Sequence, residues 1–574
     1  MSPRRRRHFF AALALMLVGG LAEVLTIGAV FPFLLLVTDP AGAGAHAWVR
    51  GFRDLVGLAP SADLLPWAAG ALIIAAIVAG AVRLALLWVS QSFIFRLGHE
   101  MGSEIYARTL RQPYREHVRR NSSDVLAAIE KVQIVIFSVM LPLMQGVVGA
   151  FTAMVIIAVL VAIDPATALI ATATMSVVYL GVTWLTRDVL RNNSRIINSL
   201  HTERLKQAQE GLGGIRDIIL DHSQPVFDRQ FRTLDDRLRR AQAVNVFVAG
   251  GPRFVVETAG IILIVLLAYW LSGSPRGIAA AIPVLGALAL GAQRLLPLLQ
   301  QVYAGWSTFW GSADVLLEIF RLLGARQITT APLPAGVAPR HFEREIRFAD
   351  VDFRYDGAAR NALSGIDLTI RRGERIGVLG TTGSGKSTLI DILMGLLDPT
   401  SGEVLIDGSP LDDSTRANWQ AQIGHVPQSI YLSDNSIAMN IAFGVPEAQI
   451  DRARLLRAAE QAQIHTFVET LPDGYETRVG ERGVRLSGGQ RQRIGIARAL
   501  YKDASVLVFD EATSALDNET EAAVMSAVRG LAENLTVVII AHRLSTLEDC
   551  DRIVSIERGR IAGVGDYRQM VAGR

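Results

Sequence analysis

The stretch "GTTGSGKST", running from Gly380 to Thr388, fits the spacing G-x-x-x-x-G-K-[ST]. The glycines Gly380, Gly383 and Gly385 let backbone N–H groups of the loop, with Thr381, Thr382 and Ser384 between them, turn inward on an anion, and a helix N-terminus just beyond adds its positive end. In such a loop Lys386 reaches the β- and γ-phosphates of a nucleotide, and the Ser387 hydroxyl, beside Thr388, ligates Mg²⁺. A second cluster, "SVLVFDE", ends an apolar run with Asp510, placed to bind Mg²⁺ through an oxygen, and Glu511, placed to orient or deprotonate an attacking water. Alone, these two would be ordinary surface acids at a strand end. A phosphate loop upstream gives them a task.

The elements that must hold these groups are legible around them. "RIGVLG" is a short buried strand leading into the loop, and "STLIDILMGLL" is the helix leading out. "IRFADVDFRY" alternates like a half-buried strand, whereas "SVLVFD" and "TVVIIAH" are the uninterrupted apolar runs of a parallel sheet. Residues 344–574 therefore read as an α/β P-loop domain. The Pro-rich "RQITTAPLPAGVAPRHFE" before it, 326–343, reads as a linker.

Residues 1–325 have a different solvent. Half of the chain is hydrophobic, and the apolar runs all lie before about residue 305, which points to an all-α membrane domain. Candidate spans are 9–37, 64–90, 134–163, 166–186, 254–273 and 277–303. The connections 91–133 and 187–253 are rich in arginine and the alternate connections nearly devoid of Lys and Arg, so both termini of a multi-pass membrane protein are expected in the cytoplasm. Arg4 to Arg7 anchor the first span; the apolar run that follows is too long for a signal peptide. The basic connections read as helical extensions beyond the bilayer. Each is broken once, at Pro113 with the cap-like Ser122 and Ser123, and at Gly211, Gly213 and Gly214; these breaks are either plain turns or short helices that dock on the soluble domain, and docking is the expectation.

The net charge of +3 and the lack of a basic stripe with interleaved aromatics exclude a nucleic-acid partner. A single cysteine, Cys550, excludes an intramolecular disulfide or a cysteine-based metal cluster and is expected to be a buried or incidental thiol.

Between the two phosphate motifs lies "LSGGQRQRIGIARAL", and with it the chain resembles the ATP-binding cassette (ABC) family, whose signature matches Leu486 to Gln490. Six spans and one cassette are similar to an exporter-type half-transporter. The resemblance implies an adenine-stacking role for Tyr355, Mg²⁺ sensing by Gln428, a γ-phosphate contact for His542 and a dimer-crossing loop from Ser514 to Asp517. It also implies that Thr477 to Gly483, "TRVGERG", touches the docking helices. In this family Ser487, Gly488, Gly489 and Gln490 complete the ATP site of a second copy, and intact motifs favour a homodimer. No soluble segment precedes the first span, so a leader-peptide-processing exporter is not expected.

Arg83, Arg253 and Arg294 interrupt the apolar runs. Arg294 and Arg83 lie about 25 to 29 Å from the outer face at 1.5 Å per residue, near the cytoplasmic leaflet, where an arginine snorkels, pairs or lines a wet cavity. Glu257 and Glu23 are two available acids for three arginines. The cationic surplus suits an anionic headgroup such as pyrophosphate. "AEVLTIGAVFPFL", "RQPYREHVRRNSS", "QEGLGGIRDIILD" and "GAQRLLPLLQQVY" resemble the subgroup containing the lipid-linked oligosaccharide flippases, in which cavity arginines engage the substrate's pyrophosphate. The expected function is thus ATP-driven flipping of an anionic lipid-linked substrate outward. A general lipid or drug exporter and a membrane-tethered regulatory ATPase are the rivals.

Overall fold

The computed structural model describes residues 64–119, 121–163, 165–272, 277–324, 342–510, 535–541 and 547–572, with the single positions 18, 33 and 526. The chain divides into two compact units, Met1–Arg111 with Arg120–Arg326, and Gln112–Arg119 with Gln327–Arg574. The linker expected over 326–343 lies almost wholly outside the described residues, as does the first expected span, 9–37.

Ten helices occupy the described part of the chain before the linker: α1 (Leu65–Leu110), α2 (Tyr114–Arg119), α3 (Ser122–Val135), α4 (Leu141–Ile163), α5 (Pro165–Gly213), α6 (Ile215–Leu220), α7 (Gln224–Gly250), α8 (Pro252–Ser272), α9 (Gly277–Gly311) and α10 (Ala313–Leu323). Pro66, Pro165, Pro225 and Pro252 sit in first turns, where the missing N–H has no intrahelical partner to lose. With 46 and 49 residues, α1 and α5 far exceed the roughly 20 residues that a bilayer requires. Among the described residues, Leu65–Leu110 and Ser123–Ala158 are long and apolar enough to cross a membrane. The spans expected at 166–186, 254–273 and 277–303 fall on α5, α8 and α9.

One helix pair is held by close backbone approach. A Cβ added at Gly305 would lie 2.6 Å from the Pro142 carbonyl oxygen, and one at Gly149 would lie 3.0 Å from that of Leu298, so α4 and α9 touch almost main chain to main chain. Small residues at such a seam allow the dense packing that drives helix association in lipid. Just before it, Ile136–Met140 forms a π-helical turn joining α3 to α4. Pro142 follows, and its missing N–H removes one rung of the α-ladder at that point.

Both expected breaks exist, with one correction. The N-cap of α3 is Asn121, not Ser122 or Ser123; Ser122 opens the helix, and the Ser123 hydroxyl is buried without a hydrogen-bond partner among the described residues. A cap needs extended backbone, and Asn121, at φ −74° and ψ 142°, has it.

The second unit contains two sheets. The first is antiparallel, in the order β2 (Leu363–Arg371), β1 (Glu345–Phe353), β4 (Ser401–Ile406), β5 (Ser409–Pro410). The second has the order β10 (Arg560–Gly565), β9 (Arg552–Glu557), β3 (Arg375–Gly380), β8 (Thr536–Ile540), β7 (Val506–Asp510), β6 (Ile423–Val426). Its strands from β9 to β6 are parallel, and β10 is an antiparallel edge. The apolar runs of β7 and β8 supply both faces of this sheet: Leu507, Phe509, Val537 and Ile539 join one core, and Val506, Val508, Val538 and Ile540 the other. Burial on both faces explains why these strands are uninterrupted apolar sequences. In β1 the alternation is reset, because Asp350 adopts φ 46° and the register shifts between Phe348 and Val351. Phe353 thereby returns to the core.

Candidate phosphate site

Parallel strands β3, β8 and β7 end on one edge of the sheet, and the register aligns Asp510 and Val378 with the same residue, Ile540. The phosphate loop therefore starts two residues beyond the level of Asp510, at the carboxyl edge where open α/β sheets bind ligands. Helix α11 (Lys386–Leu393) leaves the loop at once. Gly383 and Gly385 adopt φ 79° and 111°, a backbone region that favours glycine. Gly380 has no room for a side chain, since a Cβ there would lie 2.5 Å from both the Ile556 carbonyl oxygen and the Ser384 Oγ.

Lys386 is buried, and its Nζ donates to the carbonyl oxygens of Gly380 and Thr381 at 2.8 and 3.0 Å, so the cation lies under the loop. The Ser384 hydroxyl is buried with no hydrogen-bond partner among the described residues. Ser387 and the loop residues Thr381, Thr382 and Gly383 are exposed. An orphaned donor, a cation and open backbone turns fit a polyphosphate. A hard cation fits too: Ser387 and Asp510 offer oxygen donors, which Mg²⁺ prefers. Burial, with the Asp510 carboxylate nearby, pushes the Asp391 carboxyl on α11 up to about 6.

Tyr355 follows β1. Its hydroxyl is 3.1 Å from Thr388 Oγ1, and its ring meets Phe353 edge-on at 4.9 Å. Gln428 is exposed just past the end of β6, on the edge that carries Asp510. Glu511, Ser514, Asp517 and His542 lie outside the described residues, although the strands that lead to Glu511 and His542 are described.

The signature residues start helix α12 (Gly488–Tyr501). Ser487 Oγ accepts from the Gln490 N–H at 3.2 Å, and Gln490 Oε1 accepts from the Ser487 N–H at 2.8 Å, a reciprocal capping box. The side chains of Ser487 and Gln490 thus fix the start of α12, while Ser487 and Gly488 stay exposed at its positive end. Arg491 ties the preceding turn down by donating to the Leu486 carbonyl at 2.8 Å. In the Thr477–Gly483 segment, Val479 is buried while Glu481 and Arg482 are exposed.

In the first unit, Arg83 is exposed on α1. Arg253 Nε lies 4.0 Å from Glu257 Oε2, one turn along α8. Arg294 is on α9, but its side chain is outside the described residues, as is Glu23. Cys550 is buried, and burial, with Asp551 and Asp549 nearby, pushes its thiol up to about 12.

What the sequence reading missed is the neighbourhood of Tyr355. Tyr114, Arg115, Arg119, Asp356 and Asp391 gather around it or its loop. No local signal announces a pairing across 241 residues.

Known proteins agree with this anatomy. Residues 10–275 match the ABC transporter transmembrane region, and residues 363–514 match the ABC transporter domain. An ATP-dependent lipid A-core flippase of Ralstonia nicotianae is 36% identical over 392 residues, 67% of this chain and 64% of that protein. The alignment thus spans just under two thirds of that relative's length. A Chromohalobacter salexigens protein of the same name is 35% identical over 70% of this chain and 69% of its own. A putative multidrug export ATP-binding/permease protein of Bacillus subtilis is 32% identical over 67% of this chain and 65% of its own. A bacterial Atm1-family ABC exporter, solved with ATP bound, superposes with a TM-score of 0.79 at 25% identity, covering 99% of this chain and 96% of its own. A helical membrane region followed by a P-loop domain with its signature helix places the chain in the ABC transporter family, with the exporter fold.

Proposed function

We propose that the chain is one half of a homodimeric, ATP-hydrolysing exporter or flippase of the inner membrane, with both termini in the cytoplasm. It would move an anionic lipid-linked substrate, an oligosaccharide carrier or a similar glycolipid, from the cytoplasmic side outward. The observation that carries the ATPase reading is the phosphate loop itself, with Lys386 beneath glycine turns and the Ser384 hydroxyl without a partner among the described residues. Lys386 and the loop N–H groups would bind the phosphates, Ser387 and Asp510 would hold Mg²⁺ with Gln428 beside them, and Tyr355 would stack on adenine. Bound Mg²⁺ would neutralise charge on the phosphate oxygens. Glu511 would orient the attacking water and His542 would contact the γ-phosphate. The capped, exposed start of α12 suits the γ-phosphate of a second copy's nucleotide, which is why a chain with one signature would need a partner. A charge-matched cavity near the inner leaflet, with Arg83, Arg253 and Arg294, would select an anionic headgroup; the names of the Ralstonia and Chromohalobacter relatives support a lipid substrate.

A broader lipid or drug exporter is the second reading, favoured by the name of the Bacillus relative. ATPase measurements in nanodiscs separate the two. Lys386→Ala is expected to lose ATP binding, and Glu511→Gln to keep binding while losing turnover by about 10²-fold or more, as loss of a general base does. A polyprenyl-pyrophosphate-linked sugar should stimulate the wild type and not Arg294→Ala. Stimulation by neutral or cationic amphiphiles alone would select the broader exporter.

A further inference from the structure

Helix α2 is tethered by the chain to α1 on one side and to α3 on the other, yet residues 112–119 pack as part of the second unit. Two arginines of α2 meet one carboxylate there. Arg115 Nη2 donates to Asp356 Oδ1, and Arg119 Nη1 lies 3.3 Å from Asp356 Oδ2, so each carboxylate oxygen has its own guanidinium. Arg119 also lies 3.7 Å from Glu116 on its own helix.

Asp356 directly follows Tyr355 in a tight turn, closed by the Ala358 N–H donating to the Tyr355 carbonyl at 3.1 Å. The Tyr355 hydroxyl in turn is 3.1 Å from Thr388, in the first turn of α11. An unbroken line of contacts thus runs from α2 through Asp356 and Tyr355 to the helix that begins at the phosphate loop. Tyr114 is in the same neighbourhood: burial, with Asp391 and then Tyr355 nearby, raises its phenol above the ordinary tyrosine value. All these charged groups are partly exposed, so the clamp acts by orienting the loop rather than by adding much stability.

We propose that Asp356, gripped by Arg115 and Arg119, is a positioning residue that holds Tyr355 against the nucleotide base, so that docking of α2 sets the affinity and base preference of the ATP site. This rests on the reading of Tyr355 as the adenine-stacking residue of an ATPase. Because linkage is reciprocal, bound nucleotide then strengthens the docking of α2 by the same factor.

The test uses the full-length protein in nanodiscs, with ATPase rates in MgATP and MgGTP and amide exchange of residues 114–119 with and without a non-hydrolysable ATP analogue. Asp356→Asn should raise KM for ATP about two- to five-fold, the range that exposed charge contacts give, with kcat nearly unchanged and the preference for ATP over GTP reduced. Nucleotide should slow exchange over 114–119 in the wild type and not in Asp356→Asn. Asp356→Glu should restore KM, as should the swap Arg115→Asp, Arg119→Asp, Asp356→Arg if the contact is electrostatic. An unchanged KM in a folded Asp356→Asn protein, or nucleotide-dependent protection that survives the substitution, overturns the clamp. A wild-type protein without ATPase activity sensitive to Lys386→Ala would instead overturn the transporter reading beneath it.

Discussion

His201 illustrates how a single side chain acquires a property that composition does not give it. It is buried on α5, its Nε2 lies 3.7 Å from Glu130, and its Nδ1 has no hydrogen-bond partner among the described residues. Burial first, then the cations of Arg204 and Lys131, lower its pKa to about 4, against a smaller opposing effect of Glu318. The folded protein therefore keeps this imidazole neutral while the unfolded chain takes up a proton near pH 6.5. Between about pH 6.5 and 4 the unfolded state binds more protons, so stability rises with pH across that window and falls as the pH is lowered through it. His201→Gln should flatten the acid side of the stability profile, measured as the unfolding midpoint at pH 7.5 and at pH 5. An equal loss in both proteins would show that His201 is not the group responsible. Lys131 beside it is almost wholly buried but satisfied, donating at 2.8 Å to both Thr202 Oγ1 and Glu318 Oε2. Both groups lie in stretches where the sequence shows only periodic helix, so their burial was not legible beforehand.

At the scale of elements, the helices were legible as apolar runs, but their seam was not. Gly146, Gly149, Gly181 and Gly305 look alike in sequence, yet a Cβ at Gly305 would collide with the Pro142 carbonyl oxygen, whereas one at Gly181 meets nothing within 4 Å among the described residues. Gly305→Val should force α9 away from α4 and lower the thermal midpoint in detergent by several degrees, as overpacking by about 1–3 kcal/mol does. Gly181→Ala should leave the midpoint unchanged or slightly higher, because alanine is the better helix former. Equal midpoints for the two variants would show that the seam contributes little. In the soluble unit, the strand identities were readable from apolar runs, and the capping box at Ser487 and Gln490 from S-x-x-Q. The bulge in β1 was not, because it depends on Gly402 of the neighbouring strand: a Cβ there would lie 2.1 Å from the Asp350 carbonyl oxygen.

At the scale of the whole molecule, a site shared between two copies makes a prediction that a self-contained site does not. Lys386→Ala spoils the phosphate loop, and Ser487→Arg the signature. Each alone should abolish ATPase activity. Mixed in equal amounts before assembly, about half of the dimers carry one of each copy, and each of these has one intact site of two, so activity should return to about a quarter of wild type. No recovery on mixing would contradict a shared site. The sequence by itself determined the chemistry of this protein: a phosphate loop, its acidic partner and a signature helix are local patterns, in which neighbours along the chain supply the backbone donors, the cation and the cap. It also determined the membrane character, because hydropathy is a property of contiguous residues. Only the tertiary structure decided that Arg115 and Arg119 grip Asp356 beside Tyr355, that Lys131 finds Glu318, and which glycines form a seam. Those contacts join residues far apart in the chain, and exposed arginines and isolated glycines carry no local pattern that names their partners.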